Sequence, residues 1–213
     1  MTFLKNRPQG KKMGIIILIT LIIIALAEII FRAVSMGEAV LATDNLGEQL
    51  IVVALAATIL FFTAKGKDRA CYILYGAWAF YFVFDQLFEL PGVIIDILNP
   101  TILPGNEIFL FAQIGMISHA LAMCGVIAIG AFILEYMTDG TICNRAFNVV
   151  CILTLLFLIT NILTTTLVGI FTKAPMLFLG TFYGIYRIAM VFMITFFAYD
   201  SAKAQLKKTD LTK

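Results

Sequence analysis

The sequence predicts an all-α membrane protein: a polytopic bundle of six transmembrane helices with N-terminus and C-terminus both cytoplasmic. Three observations carry this expectation. The chain has 213 residues, of which 62% are hydrophobic and 13% charged, far from the balance of a soluble domain. The apolar residues gather into six long runs, and a helix needs about 20 mostly apolar residues to cross a bilayer. Lys and Arg fall almost entirely on one side of those runs, which sets orientation because cytoplasmic loops carry the basic excess. Strands are not predicted, since barrel strands alternate over about 10 residues and these runs do not.

The first helix is predicted over Met13–Ser35, behind a basic tail (residues 1–12) carrying Lys5, Arg7, Lys11 and Lys12. Ala25-Leu26-Ala27 imitates a signal-peptide cleavage site. The apolar run nevertheless continues through Ile29, Ile30 and Phe31, so a retained helix is expected. The second helix is predicted over Gly47–Ala64 and the third over Ala70–Leu90, joined on the basic side by Lys65, Lys67 and Arg69. The fourth is predicted over Ile108–Met137. At 1.5 Å per residue it is about 45 Å long, so it must tilt, bend at Gly125 or Gly130, or project beyond a hydrocarbon core about 30 Å thick. Arg145 separates it from the fifth, Ala146–Phe171. The sixth, Pro175–Tyr199, leads into a basic tail (residues 200–213) with Lys203, Lys207, Lys208 and Lys213. Twelve of the 15 basic residues thus share one side, Lys173 stands alone on the other, and Arg32 and Arg187 lie inside spans.

The whole chain reads as one transmembrane domain, with no room for a soluble one. The longest links are two outer loops, Met36–Leu46 and Pro91–Glu107. In the second, Pro91, Pro100 and Pro104 surround an apolar segment, Gly92–Leu98, too short to span. That segment is expected to rest on the headgroups or to fold back as a lid. Cys71, Cys143 and Cys151 map to the reducing cytoplasmic side and Cys124 to mid-membrane, so no structural disulfide is expected. Phosphate-binding loops and zinc signatures are missing from the sequence. No cofactor is therefore predicted, and nothing points to a nucleic-acid partner.

An ionisable group in hydrocarbon is costly and usually marks a site or pathway. Glu28 and Asp85 each lie 15 residues into outward-running helices, about 22 Å from the cytoplasmic end. Arg32 and Glu89 each sit one turn further out on the same face. His119 and Arg187 lie about 17–18 Å below the outer end of their helices. Asn161 and Thr164 fall between these levels, and Gln113 lies nearer the mouth. The simplest geometry is a polar vestibule open to the outside, lined by Trp78, Tyr81, Tyr183 and Tyr186 and narrowing toward His119 and Arg187. The candidate ligand-binding residues are therefore Arg187, His119, Asp85, Glu28, Tyr183, Asn161, Gln113, Glu89, Arg32 and Trp78.

Each has a plainer reading. Glu28 and Arg32 are also an i,i+4 ion pair with Arg32 snorkelling outward. Asp85 and Glu89 are also acids that reach interfacial water. His119, the one histidine, is also an interhelical hydrogen-bonding residue. Arg187 keeps its charge and needs an acid or an anionic ligand. Glu28 and Asp85 are the acids whose placement suggests them as its structural partner. Gly180 and Gly184 form a GxxxG pattern, and Ala120, Cys124 and Ala128 form a small-residue stripe. Both permit close helix approach within the bundle.

The expected function is binding or transport of a small polar or amphipathic solute. Six helices in about 200 residues with both ends inside resemble, in size, topology and vestibule placement, the substrate-binding subunits of energy-coupling-factor importers. No motif carries that resemblance. A non-catalytic subunit or sensor docked to another membrane protein is the alternative, with the basic tail also suited to anionic lipid. A third reading is an intramembrane enzyme acting on lipid. One histidine and scattered acids are a weak constellation for it, so no catalytic residue and no metal site is assigned.

Overall fold

The computed structural model describes residues 8–36, 45–66, 68–100, 108–139, 144–173 and 181–192. They are helical almost throughout: α1 (Pro8–Met36), α2 (Asn45–Ala64), α3 (Asp68–Leu98), α4 (Phe109–Asp139) and α5 (Asn144–Thr172). A sixth helix, α6, covers the described residues 181–192. Among the described residues, three segments are long and apolar enough to cross a membrane: Ile15–Val34, Phe109–Leu134 and Arg145–Thr172. Gln49–Ala64 is a shorter apolar helix. Large side chains such as Val34 (82%) and Phe88 (77%) are exposed. An apolar surface of this kind suits lipid as the solvent. The hydroxyls of Thr20, Thr58 and Thr160 donate to the carbonyl four residues earlier at 2.7–2.9 Å. That bond satisfies the hydroxyl within its own helix, so these polar residues can face an apolar medium.

The chain divides into two compact units, residues 1–79 with 192–213, and residues 80–191. In the first, α1 packs on α2. Leu18, Leu21, Ala25, Glu28 and Arg32 form one buried stripe of α1 at alternating spacings of three and four. Val52, Ala56, Ile59 and Thr63 form a matching buried stripe of α2. Gly66 ends α2 with φ at 68°, while the Lys65 amide bonds the Phe61 carbonyl at 3.0 Å. The left-handed conformation that such a helix end requires costs glycine nothing. The Cys71 thiol, at the start of α3, lies 3.5 Å from the Thr63 hydroxyl.

In the second unit α4 packs on α5. Gly115, Ser118, Ala122 and Ile129 of α4 are buried, as are Thr154, Leu158, Thr164 and Val168 of α5. A Cβ added at Gly125 would collide with the Thr154 side chain, and one at Gly115 would come within 2.8 Å of the Thr164 hydroxyl. These glycines let the two backbones approach. Gly130 serves the same purpose against Val83 of α3. α4 runs as one helix through Gly125 and Gly130, which mark close approaches rather than breaks. Of the expected stripe Ala120, Cys124 and Ala128, the middle residue is exposed. The α4 surface that meets α5 is the neighbouring row instead. Gly184 of α6 abuts Ile162 of α5, whereas Gly180 lies outside the described residues.

The largest departure from expectation concerns the outer loop beginning at Pro91. α3 continues through Pro91 and Gly92 to Leu98. Proline removes one N–H donor, but unwinding the next two turns would strand many more backbone groups at the edge of an apolar medium. Helix is the cheaper state. Residues 101–107, the rest of the expected loop, lie outside the described residues.

Candidate functional site

Phe82, Gln86 and Glu89 occupy one face of α3 at i, i+4 and i+7. Tyr183 and Arg187 are likewise one turn apart on α6. These two faces meet. The Phe82 ring packs edge-on against Tyr186 at 6.1 Å, and Arg187 Nη2 donates to Glu89 Oε2 at 2.9 Å. The other arm of the guanidinium, Nη1, contacts His119 Nε2 of α4. The guanidinium carbon also lies 4.2 Å from the centre of the Tyr183 ring, a cation–π geometry. Nη2 further approaches the Tyr183 hydroxyl at 3.2 Å, and that hydroxyl donates to Glu89 Oε2 at 3.4 Å. Three helices thus converge on one charge.

Guanidinium only donates. The contact to His119 is therefore a hydrogen bond when Nε2 carries the lone pair and Nδ1 the proton. Burial across the ion pair is uneven: the Arg187 side chain is 2% exposed and that of Glu89 44%. The cation is inside and its carboxylate is at the rim. Asp85, one turn before Glu89, accepts from Gln86 Nε2 at 3.1 Å. Two buried polar atoms in this unit have no hydrogen-bond partner among the described residues, Gln86 Oε1 and Arg187 Nε. A buried polar atom left unsatisfied costs about 1–3 kcal/mol.

Of the ten candidate residues, Arg187, Glu89, His119 and Tyr183 come together directly. Within this unit the acid bonded to Arg187 is Glu89, one turn beyond the expected Asp85. The reason is the length of α3. With the helix ending at Leu98, Glu89 lies nine residues, about 14 Å, below its end. His119 is ten residues, about 15 Å, below the start of α4. The two levels therefore match. Asn161 ties α5 to α4, its Nδ2 donating to the Gly115 carbonyl at 2.9 Å. Gln113 is half-buried in the second turn of α4.

Glu28, Arg32 and Trp78 belong to the first unit. There Arg32 donates from Nε and Nη2 to Glu28 Oε1 at 3.0 and 2.6 Å, with both side chains buried. Trp78 is buried too, whereas Tyr81 is 63% exposed. The residue missed from sequence was Gln86. Its signal was a lone amide in an apolar helix, on the face shared by Phe82 and Glu89. Among the described residues no group of three or more His, Cys, Asp or Glu side chains converges as for a metal ion. No family model matches this chain, and no curated protein or solved structure shows detectable similarity to it.

Proposed function

We propose that this chain is a six-span protein of the cell membrane, both tails cytoplasmic, that binds or carries a small polar or amphipathic solute at the Arg187 cluster. The orientation rests on twelve of 15 basic residues lying to one side of the apolar runs. The solute site rests on one observation above the others. An Arg187 side chain of 2% exposure sits beside a half-exposed acid, and its Nε donor has no partner among the described residues. Ionisable groups held at such depth commonly line a solute path, and a few convergent polar groups among aromatic rings are the usual lining of a small-molecule site.

Native mass spectrometry of the gently solubilised protein tests this. A small molecule should be retained by the wild type and by Thr160→Ala, and lost from Arg187→Ala. The Arg187–Glu89 ion pair itself favours a second reading, in which the cluster is structural and the chain is a subunit of a larger membrane assembly. Copurification with an unrelated polypeptide and no small molecule supports that reading. So does an Arg187→Ala protein whose lost stability returns when Glu89→Gln is added. For the topology, single cysteines placed in each tail of a cysteine-free variant should resist a membrane-impermeant thiol reagent in intact cells. Labelling of either tail sinks the orientation.

A further inference from the structure

Glu89 holds Arg187 through an ion pair, Oε2 to Nη2. The Nε–H and one Nη2–H of a guanidinium point along the same edge, the fork that a carboxylate fills with two oxygens. Here one tooth of that fork is taken and the other, Nε, is buried without a partner among the described residues. The opposite arm is occupied by His119 and the face by Tyr183. The unmet donor is thus on the edge next to Glu89. The two partners also differ in what release would cost them. Arg187 is buried, its side chain 2% exposed. Glu89, 44% exposed, is the less buried of the two.

We propose that Glu89 is an exchangeable counter-ion, and that Arg187 binds the carboxylate of a small solute side-on, through Nε and Nη2, in its place. This rests on the solute-site reading above and names its substrate class, a small organic carboxylate. The exchange keeps one anion on the guanidinium throughout, so the buried charge is never bare. It also satisfies the Nε–H that Glu89 leaves unmet. Tyr183 then loses its acceptor on Glu89 and gains one on the incoming oxygen. Gln86 Oε1, one turn before Glu89 on the same face of α3, leaves a second unmet demand, for a donor.

Chemical rescue provides the test, with acetate as the probe. In the full chain in detergent, Glu89→Ala removes the counter-ion and should lower the thermal midpoint by several degrees. Sodium acetate should restore most of that loss with a saturable dose response, as a ligand of the folded state does. Sodium chloride at matched ionic strength should not. Glu89→Ala with Arg187→Met should show no acetate response. An acetate effect no larger than that of chloride overturns the proposal. Should Glu89→Ala fail to fold, the Arg187 Nε–H resonance of the ¹⁵N-arginine-labelled wild type, assigned by its loss in Arg187→Met, replaces the midpoint. A saturable acetate shift supports the exchange and an unmoved resonance overturns it. A neutral molecule retained in native mass spectrometry, with acetate inert, also overturns it while leaving the solute site standing.

Discussion

Arg32 and Arg187 are both buried arginines in apolar helices, but their carboxylates come from different distances along the chain. Arg32 uses Glu28, four residues away on the same helix, with both partners buried. Arg187 uses Glu89, 98 residues away on another helix, and shares its remaining bonds with His119 and Tyr183. The first pair is made by helix periodicity alone and exists once α1 is formed. The second exists only after α3, α4 and α6 have assembled. The local pair is closed, with its two charges hidden together. The assembled one is open at the rim and leaves donor capacity over. That difference separates a pair fit for holding a helix from one fit for exchanging a partner.

The largest expected effect tests the closed pair. Glu28→Ala leaves Arg32 buried without its neighbouring acid and should cost about 3–5 kcal/mol. Glu28→Leu with Arg32→Met should recover most of that, since an apolar replacement of both partners is often neutral or better. Thermal unfolding of the single and double variants in detergent decides it. A double variant as unstable as the single one would mean that the pair has a role beyond neutralising itself. Next comes the assembly of the second unit. Gly125→Val drives a side chain into Thr154 and should cost about 1–3 kcal/mol, the usual penalty of overpacking. It should weaken solute retention at the Arg187 cluster while leaving the Glu28–Arg32 pair intact. Smaller again is Asn161→Ala, which removes one hydrogen bond between α5 and α4. Interhelical bonds of this kind average about 0.6 kcal/mol in membranes, so a loss above about 2 kcal/mol would show that Asn161 supports more than the Gly115 carbonyl. Smallest is Gly92→Ala. A Cβ there meets nothing within 4 Å, and alanine favours a helix over glycine by about 0.5–1 kcal/mol. The variant should match or slightly exceed the wild type in midpoint; a marked loss would mean that the helix past Pro91 does not persist.

Where the sequence misled, a single boundary explains most of it. Pro91 and Gly92 look like a helix end because each is a poor helix residue. Ending α3 there put Glu89 at the interface and made Asp85 the acid of matching depth. Extending α3 to Leu98 lowers both by two turns and gives Glu89 to Arg187. The small-residue stripe erred differently. Ala120, Cys124 and Ala128 are as plausible a seam as Gly115, Ser118 and Ala122, because in a helix apolar on every side nothing in the pattern marks the face that meets a neighbour. Gln86 escaped attention because its importance lies in burial, and burial is a tertiary property.

The sequence by itself determined that the described residues are helical, three of the helices long and apolar enough to cross a membrane, where most of them begin and end, and that Glu28 and Arg32 share a face. These follow from hydropathy and a period of 3.6 residues, both local. Tertiary structure decided which acid neutralises Arg187, which row of α4 meets α5, and which polar atoms are left unmet. Those depend on helix rotation and relative depth, and rotation is set by packing between side chains distant in the chain.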